Sequence, residues 1–362
     1  MTNRALRRLA GAAVGSAAVC VALASVANMV HGLPRGPRLT VAARPVSDAV
    51  LGAYTGPSAK GAAALTAWHR WSGTRAPYAL DFAAGDSWAN ITGPDWLLDP
   101  WQAAGRRLIY SMPMFPHRPG DSARVHGARL AACAAGRYDA RWAELGRRLV
   151  ARRMATTIVR PGWEFDGSWY PWSALGRERQ HMNCFRHVVT AMRRVPGQRF
   201  QFLWNPGIGV QRFPAERAYP GDRYVDLIGV DVYDTSWTPG SYPGPAAATR
   251  EQRHALAAAV WSRVRDGDHG LRFWARYAAA HGKPLAVPEW GLSARADGHG
   301  GLDNPLFIEE MVRFVRDPRN GVAFAMYFDA DSAHGDRHRI STPDSRFPLS
   351  RAVFRRLLEV PQ

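Results

Sequence analysis

Lysine is nearly missing from this chain: among 47 basic residues, against 30 acidic ones, only Lys60 and Lys283 are lysines and the rest are arginines. A net charge of +17 would ordinarily point to a nucleic acid. The arginines are scattered, however, with Arg152, Arg153, Arg193, Arg194, Arg355 and Arg356 spaced as on solvated helix faces. No continuous basic stripe forms, so no nucleic-acid partner is expected, while loose attraction to acidic polymers or anionic lipid stays open. Beside abundant alanine and glycine, the skew towards arginine looks like nucleotide-composition bias. Cysteine is scarce too. The three present, Cys20, Cys133 and Cys184, stand in no Cys/His spacing that would hold a metal, and no metal or cofactor is expected. A Gly-rich phosphate loop is also lacking, because LGAYTGPSAKG after the first strand has the wrong spacing, which argues against a doubly wound nucleotide-binding sheet.

Long apolar runs are absent but for one. Arg4, Arg7 and Arg8 precede an uncharged stretch from Leu9 to Leu33 rich in Ala and Val, the pattern of an export segment. Two readings stand. Ser25-Val26-Ala27 offers the small residues of a signal-peptide cleavage site, and the whole run is long enough to remain as a membrane anchor with its basic end cytoplasmic. Val19 before Cys20 is a poor fit to a lipoprotein signal, and the arginine pair hints only weakly at twin-arginine export. Residues 1–33 are thus expected to direct the remainder to the secreted or periplasmic side, free or anchored to the outer face of the cytoplasmic membrane. Residues 34–47 (PRGPRLTVAARPVS) read as a tether. An oxidising compartment would permit a bond between Cys133 and Cys184; two buried free thiols are the alternative.

From residue 48 the chain alternates. β-Branched or aromatic runs at Val50–Thr55, Tyr78–Ala83, Arg107–Met112, Thr156–Glu164, Arg199–Trp204, Val225–Tyr233, Pro284–Glu289 and Val322–Phe328 are separated by helical periodicity, clearest in Ala140–Met154 and Gln180–Arg194. Eight strands alternating with helices predict a single (β/α)8 barrel over residues 48–362. In such a barrel the working residues sit at the C-terminal strand ends, and those ends are polar and aromatic here: DFAAGDSW, SMPMFPH, RPGWEFDGSW, LWNPG, GVDVYD, VPEWG and MYFDAD.

Glu164 and Glu289 each end an apolar strand beside a tryptophan, a costly placement that needs a reason. One reason is a structural ion pair with Arg160. The other is glycosidic hydrolysis, in which one carboxyl kept protonated by apolar surroundings feeds the leaving oxygen and a second, ionised one attacks the anomeric carbon. Sugar rings have apolar faces that stack on flat side chains, and Trp163, Trp169, Trp172, Trp204, Tyr233, Trp290 and Tyr327 fall at strand ends or just beyond. As a group they favour a carbohydrate cleft, while Trp172 and Trp204 could equally pack beneath it.

These motifs resemble glycoside hydrolase family 26, a clan A group of (β/α)8 enzymes that includes β-mannanases and other endo-β-glycanases. The resemblance spans about Val50 to Phe354 and rests on Arg160 to Trp172 (RPGWEFDGSWYPW), DLIGVDVY at 226 to 233, PEWG at 288 to 291 and GHGGLDNPLFI at 298 to 308. It implies Glu164 as general acid/base and Glu289 as nucleophile of a retaining double displacement, with Tyr233 hydrogen-bonding the nucleophile. Family members usually have His where this chain has Trp163, and often Asn where it has Asp166. Position adds further candidates. Asp81 would bind a sugar hydroxyl or pair with Arg160. His117 would line the donor side of the cleft, Asn205 would face ligand or cap its loop, and the loop Asp329 to Ile340 would form a cleft wall. His299 and Asp303 belong to a Gly-rich loop read as mobile over the cleft. The expectation is an exported, monomeric endo-glycoside hydrolase acting on a β-linked polysaccharide or oligosaccharide, mannan-like or another β-glycan. A membrane contact through residues 9–33 is allowed. An envelope or exopolysaccharide transglycosylase and a non-catalytic carbohydrate-binding barrel are the alternatives.

Overall fold

The computed structural model describes residues 49–332 and 335–359, so the expectations for residues 1–33 and 34–47 lie outside the described residues. Among the described residues no helix is long and apolar enough to cross a membrane. The strands are β1 (Val50–Tyr54), β2 (Tyr78–Phe82), β3 (Arg107–Met112), β4 (Ile158–Pro161), β5 (Gln201–Trp204), β6 (Leu227–Gly229), β7 (Val232–Tyr233), β8 (Leu285–Gly291) and β9 (Val322–Phe328). Every pairing is parallel, in the order β1-β9-β8-β6-β5-β4-β3-β2, with β7 continuing beside β8. With β1 lying next to β2, the sheet forms a nearly closed eight-stranded barrel, helices filling the connections, as the alternation predicts.

Two apolar layers hold it. Inside, Leu80, Ile109, Ile158, Leu203, Leu227, Ala286, Phe324 and Met326 form one cluster, drawn from seven different strands. Outside, the helices bury a much larger set against the sheet, including Trp68, Trp142, Trp274 and Phe354. The helices Ala123–Ala134 and Glu178–Arg193 pack as neighbours and are joined by the Cys133–Cys184 disulfide.

Several strands differ from the sequence expectation by one or two residues at an end, and two differ by more, both for reasons that bear on the site. The run Thr156–Glu164 is strand only to Pro161, because Gly162 (φ 57°) and Glu164 (φ 48°) turn the chain into the left-handed region. The run Val225–Tyr233 breaks after Gly229. There the Asp231 backbone pairs instead with the loop after β5, donating to the Pro206 carbonyl at 3.2 Å and accepting from Ile208 at 3.1 Å.

Candidate active site

Side chains two apart on a strand share a face, so the residues two beyond the apolar plug form the next layer up the barrel. On β3, β4 and β5 that step leads from Ile109 to Ser111, from Ile158 to Arg160 and from Leu203 to Asn205. On β8, Ala286 and Glu289 are three apart and could not both face inward in a regular strand. A register shift between Val287 and Trp290 removes the conflict and turns Glu289 into the barrel. Gly229 leaves room for Asn205, whose Oδ1 would lie 2.4 Å from any Cβ at that position.

Arg160 is fully buried at the centre of this layer. Its Nη1 donates to Glu289 Oε1 at 2.6 Å and to Ser111 Oγ at 3.1 Å, its Nε to Asn205 Oδ1 at 3.1 Å, and its Nη2 to Asp231. The Asn205 amide donates to Asp231 Oδ2 at 3.0 Å, and the Tyr233 hydroxyl to Glu289 Oε2 at 2.8 Å. Glu289 therefore has both oxygens in hydrogen bonds, one from a guanidinium. The two expectations for Arg160, a structural ion pair and a functional glutamate, coincide at one carboxylate.

Glu164 stands on the turn beyond β4. Its N–H donates to the Asn205 carbonyl at 2.8 Å, and its backbone is left-handed, uncommon for a non-glycine residue. Trp169 Nε1 donates to Glu164 Oε2 at 3.0 Å. Burial foremost, then the charge of Glu289, pushes the Glu164 carboxyl up to about 8, against the Trp169 hydrogen bond and the charge of Arg160. A carboxyl so placed is protonated at neutral pH and can give that proton away. If it acts as an acid, kcat/KM falls on the alkaline side near pH 8. Trp169→Phe removes a donor to the charged form, so the alkaline limb should move to higher pH; a limb that stayed fixed or moved down in a pH–rate profile would refute this.

Asp166 is buried with Oδ1 accepting from the Gly207 N–H at 2.9 Å and Oδ2 unpartnered among the described residues. Burial raises its carboxyl to about 7. A carboxyl raised in the folded state stabilises fully below its ordinary value and loses that stabilisation as pH climbs to its folded value. Asp166→Asn, which mimics the protonated form, is therefore expected to raise the denaturation midpoint at pH 8 and to leave it nearly unchanged at pH 4. Equal shifts at both pH values would contradict the assignment.

The other sequence candidates divide. Trp169 is 53% exposed beside Glu164, free to meet a ligand. Trp163 is buried, its N–H donating to the Tyr170 hydroxyl at 3.0 Å and its face carrying Arg160 at 5.5 Å, so it shapes the site from beneath instead of offering a surface. Trp204, Trp290 and Tyr327 are fully buried and correct the expectation of sugar contact: Trp204 packs on Phe165 and Trp274, while Trp290 and Tyr327 pack on each other and on Phe354. Asp81 is fully buried and does not pair with Arg160; it accepts from Trp101 Nε1 at 2.6 Å and from the Ser58 N–H at 2.7 Å, holding the loop after β1. Asn205 is buried as a brace between Arg160 and Asp231. His117 has its ring edge against Trp172 at 5.8 Å and lines a pocket with Trp88, Arg118 and Tyr138. Asp303 caps the helix Pro348–Glu359, accepting from the Leu349 and Ser350 N–H groups, which fixes its loop.

Sequence reasoning named Tyr233 but missed the rest of an aromatic rim. Tyr54, Phe82, Tyr233 and Phe328 are the last residues of β1, β2, β7 and β9; Tyr54 touches Phe82 at 5.1 Å and Phe328 at 4.7 Å, and Tyr233 touches Phe328 at 6.0 Å. His338, from the loop after β9, completes it against Tyr233 at 5.1 Å. Its Nδ1 meets the Leu292 carbonyl at 2.7 Å and so carries a proton. A run of aromatics closing several strands was the available signal. Asp231 gave the same signal as the two glutamates, a charge within a β-branched run.

A parallel barrel with two glutamates at the C-terminal ends of its strands has the layout of a (β/α)8 enzyme. The comparisons make this particular: residues 138–242 match the model of Glycosyl hydrolase family 26, the family that the motifs resemble. A mannan endo-1,4-β-mannosidase of Bifidobacterium adolescentis is 26% identical over 161 residues, 42% of this chain and 14% of that protein. The chain thus spans well under a quarter of that relative's length. The fold is shared with a modular endo-β-1,4-mannanase from Cellulomonas fimi (TM-score 0.58, 20% identity, 87% of this chain and 71% of that one). It is shared also with GH26C from a Muricauda species (TM-score 0.62, 14% identity, 88% and 87%).

Proposed function

We propose that this chain is an exported endo-acting glycoside hydrolase that cleaves a β-linked polysaccharide with retention of configuration. The observation that carries the reading is the contrast between two carboxyls at one barrel mouth: Glu289 clasped by Arg160 and Tyr233, and Glu164 held protonated by burial. In the first step Glu289 Oε attacks the anomeric carbon while Glu164 delivers its proton to the glycosidic oxygen, so the C–O bond breaks as a glycosyl ester forms. In the second, the ionised Glu164 takes a proton from water, whose oxygen displaces Glu289 and restores both groups. Arg160 and Tyr233 aim the nucleophile, and no cofactor enters. Family 26 and the mannan endo-1,4-β-mannosidase likeness support hydrolysis within a chain, and make mannan the first substrate to try. The basic, apolar N-terminal stretch supports export, with residues 9–33 either cleaved or left as an anchor.

The deciding experiment screens the purified protein against mannan, glucomannan, β-glucan and xylan, following new reducing ends and their anomeric form. Mid-chain cleavage with retained configuration is expected. Inverted product would remove the covalent step, and no cleavage of any β-glycan would remove the hydrolase reading. Sequencing the N-terminus from soluble and membrane fractions tests the export reading.

A further inference from the structure

Trp237 is 59% exposed, more than any other tryptophan among the described residues, yet it is not a loose side chain. Its loop leaves β7 at Tyr233 and is tied down at once. The Asp234 carboxylate accepts from the Tyr242 hydroxyl at 3.0 Å and the Asn304 amide at 2.8 Å; Thr235 pairs with Gly300, and the Ser236 N–H donates to the His299 carbonyl at 3.0 Å. Gly301 permits this close approach, since a Cβ there would lie 1.9 Å from Asp234 Oδ2. The indole lies nearly parallel to the His299 ring, centroids 5.4 Å apart, with the Arg295 guanidinium 5.3 Å from its centre. His299 Nδ1 meets the Ser236 carbonyl at 2.9 Å, and Arg295 is clamped by Asp297 at 2.7 Å and Asp336 at 2.6 Å. Two side chains, each fixed in turn, therefore support an indole that remains mostly in solvent.

Its place follows from the chain. Trp237 is four residues beyond Tyr233, which donates to Glu289, so the two Cα atoms lie within about 14 Å of each other by backbone reach alone. The supporting loop, from Arg295 to Asn304, leaves β8 just after Glu289 on the same face of the barrel.

We infer that Trp237 is the platform of an outlying sugar subsite, taking a neutral pyranose unit of the glycan whose scissile bond lies between Glu164 and Glu289. The inference rests on the hydrolase reading and extends it. A flat apolar surface held in advance loses little freedom when a sugar face stacks on it. Among the described residues the cation over this ring is Arg295, already neutralised by Asp297 and Asp336, which favours a neutral sugar over a uronate. Binding energy gathered here, away from the reacting bond, can be used to distort and align the sugar between the carboxylates, so it raises turnover of long chains only.

Trp237→Ala and Trp237→Phe are compared with the parent on mannan, glucomannan and their hexasaccharides, and on 4-nitrophenyl β-mannoside and β-glucoside, which carry a single sugar unit. Trp237→Ala is expected to lose about tenfold in kcat/KM on the long chains, as for one lost stacking contact, and nothing on the aryl glycosides, with Trp237→Phe recovering most of the loss. Equal losses on long and short substrates, or none on either, would overturn the subsite and leave hydrolysis standing. If the parent cleaves nothing, the hydrolase reading falls, and calorimetric titration of the hexasaccharides still reads the platform. Weaker binding to Trp237→Ala than to the parent supports it; equal binding or none overturns it.

Discussion

Glu289→Ala is expected to lower turnover of any glycan substrate by about 10⁴- to 10⁶-fold, the loss typical of removing a nucleophile. No leaving group can rescue it, because the bond to the anomeric carbon has no atom to form to. Glu164→Ala should behave differently. On a natural glycan the loss is about 10²- to 10⁴-fold, the contribution of one acid/base group. On a 2,4-dinitrophenyl glycoside the phenol leaves without a proton, so the first step survives and the second, which needs the base, becomes limiting. Stopped-flow absorbance should then show a burst of one phenol per enzyme for Glu164→Ala and none for Glu289→Ala. Both variants turning over like the parent would end the two-glutamate mechanism, and a burst from Glu289→Ala would exchange the roles.

Arg160→Met should cost about 3–5 kcal/mol of stability as well as activity, because breaking a buried ion pair strands the remaining charges. Arg160 is fully buried and holds Glu289, Asp231, Asn205 and Ser111 at once, its guanidinium lying 5.5 Å from Trp163 and 5.9 Å from Phe82. Methionine fills much of the space but leaves two carboxylates facing one another without a counter-charge. Arg160→Lys keeps the charge and loses the planar fork, so it is expected to retain more stability than Arg160→Met while still losing turnover, since one ammonium cannot serve Glu289, Asp231 and Asn205 together. Urea denaturation beside kcat measurement separates the two effects. Arg160→Met with parental stability would show that the network is not what holds the barrel mouth.

The eight strands and their order were legible because a parallel barrel buries each strand on both faces, leaving continuous apolar runs whose polar ends mark the C-terminal rim. The glutamates stood out as charges ending such runs, a costly placement with few structural excuses. Trp204, Trp290 and Tyr327 show where this reading stopped. They sit at strand ends beside the right motifs, yet a strand end has two faces, and these three point outward into the helix layer while Tyr233 and Phe328 point to the mouth. Residue type cannot distinguish the faces when both are aromatic.

The order of strands, the helical connections, the two glutamates and the arginine that pairs with one of them were written in this chain, because each depends on local periodicity or on a charge set in an apolar run. Which oxygen meets which donor was not. Glu289 faces inward only through the register shift in β8, Glu164 is presented by a left-handed turn that shortens its strand, and Asp81 was drawn away by Trp101 and Ser58. Those outcomes depend on the register and packing of neighbouring strands, which bring residues scores of positions apart into one layer, and so only the tertiary structure decided them.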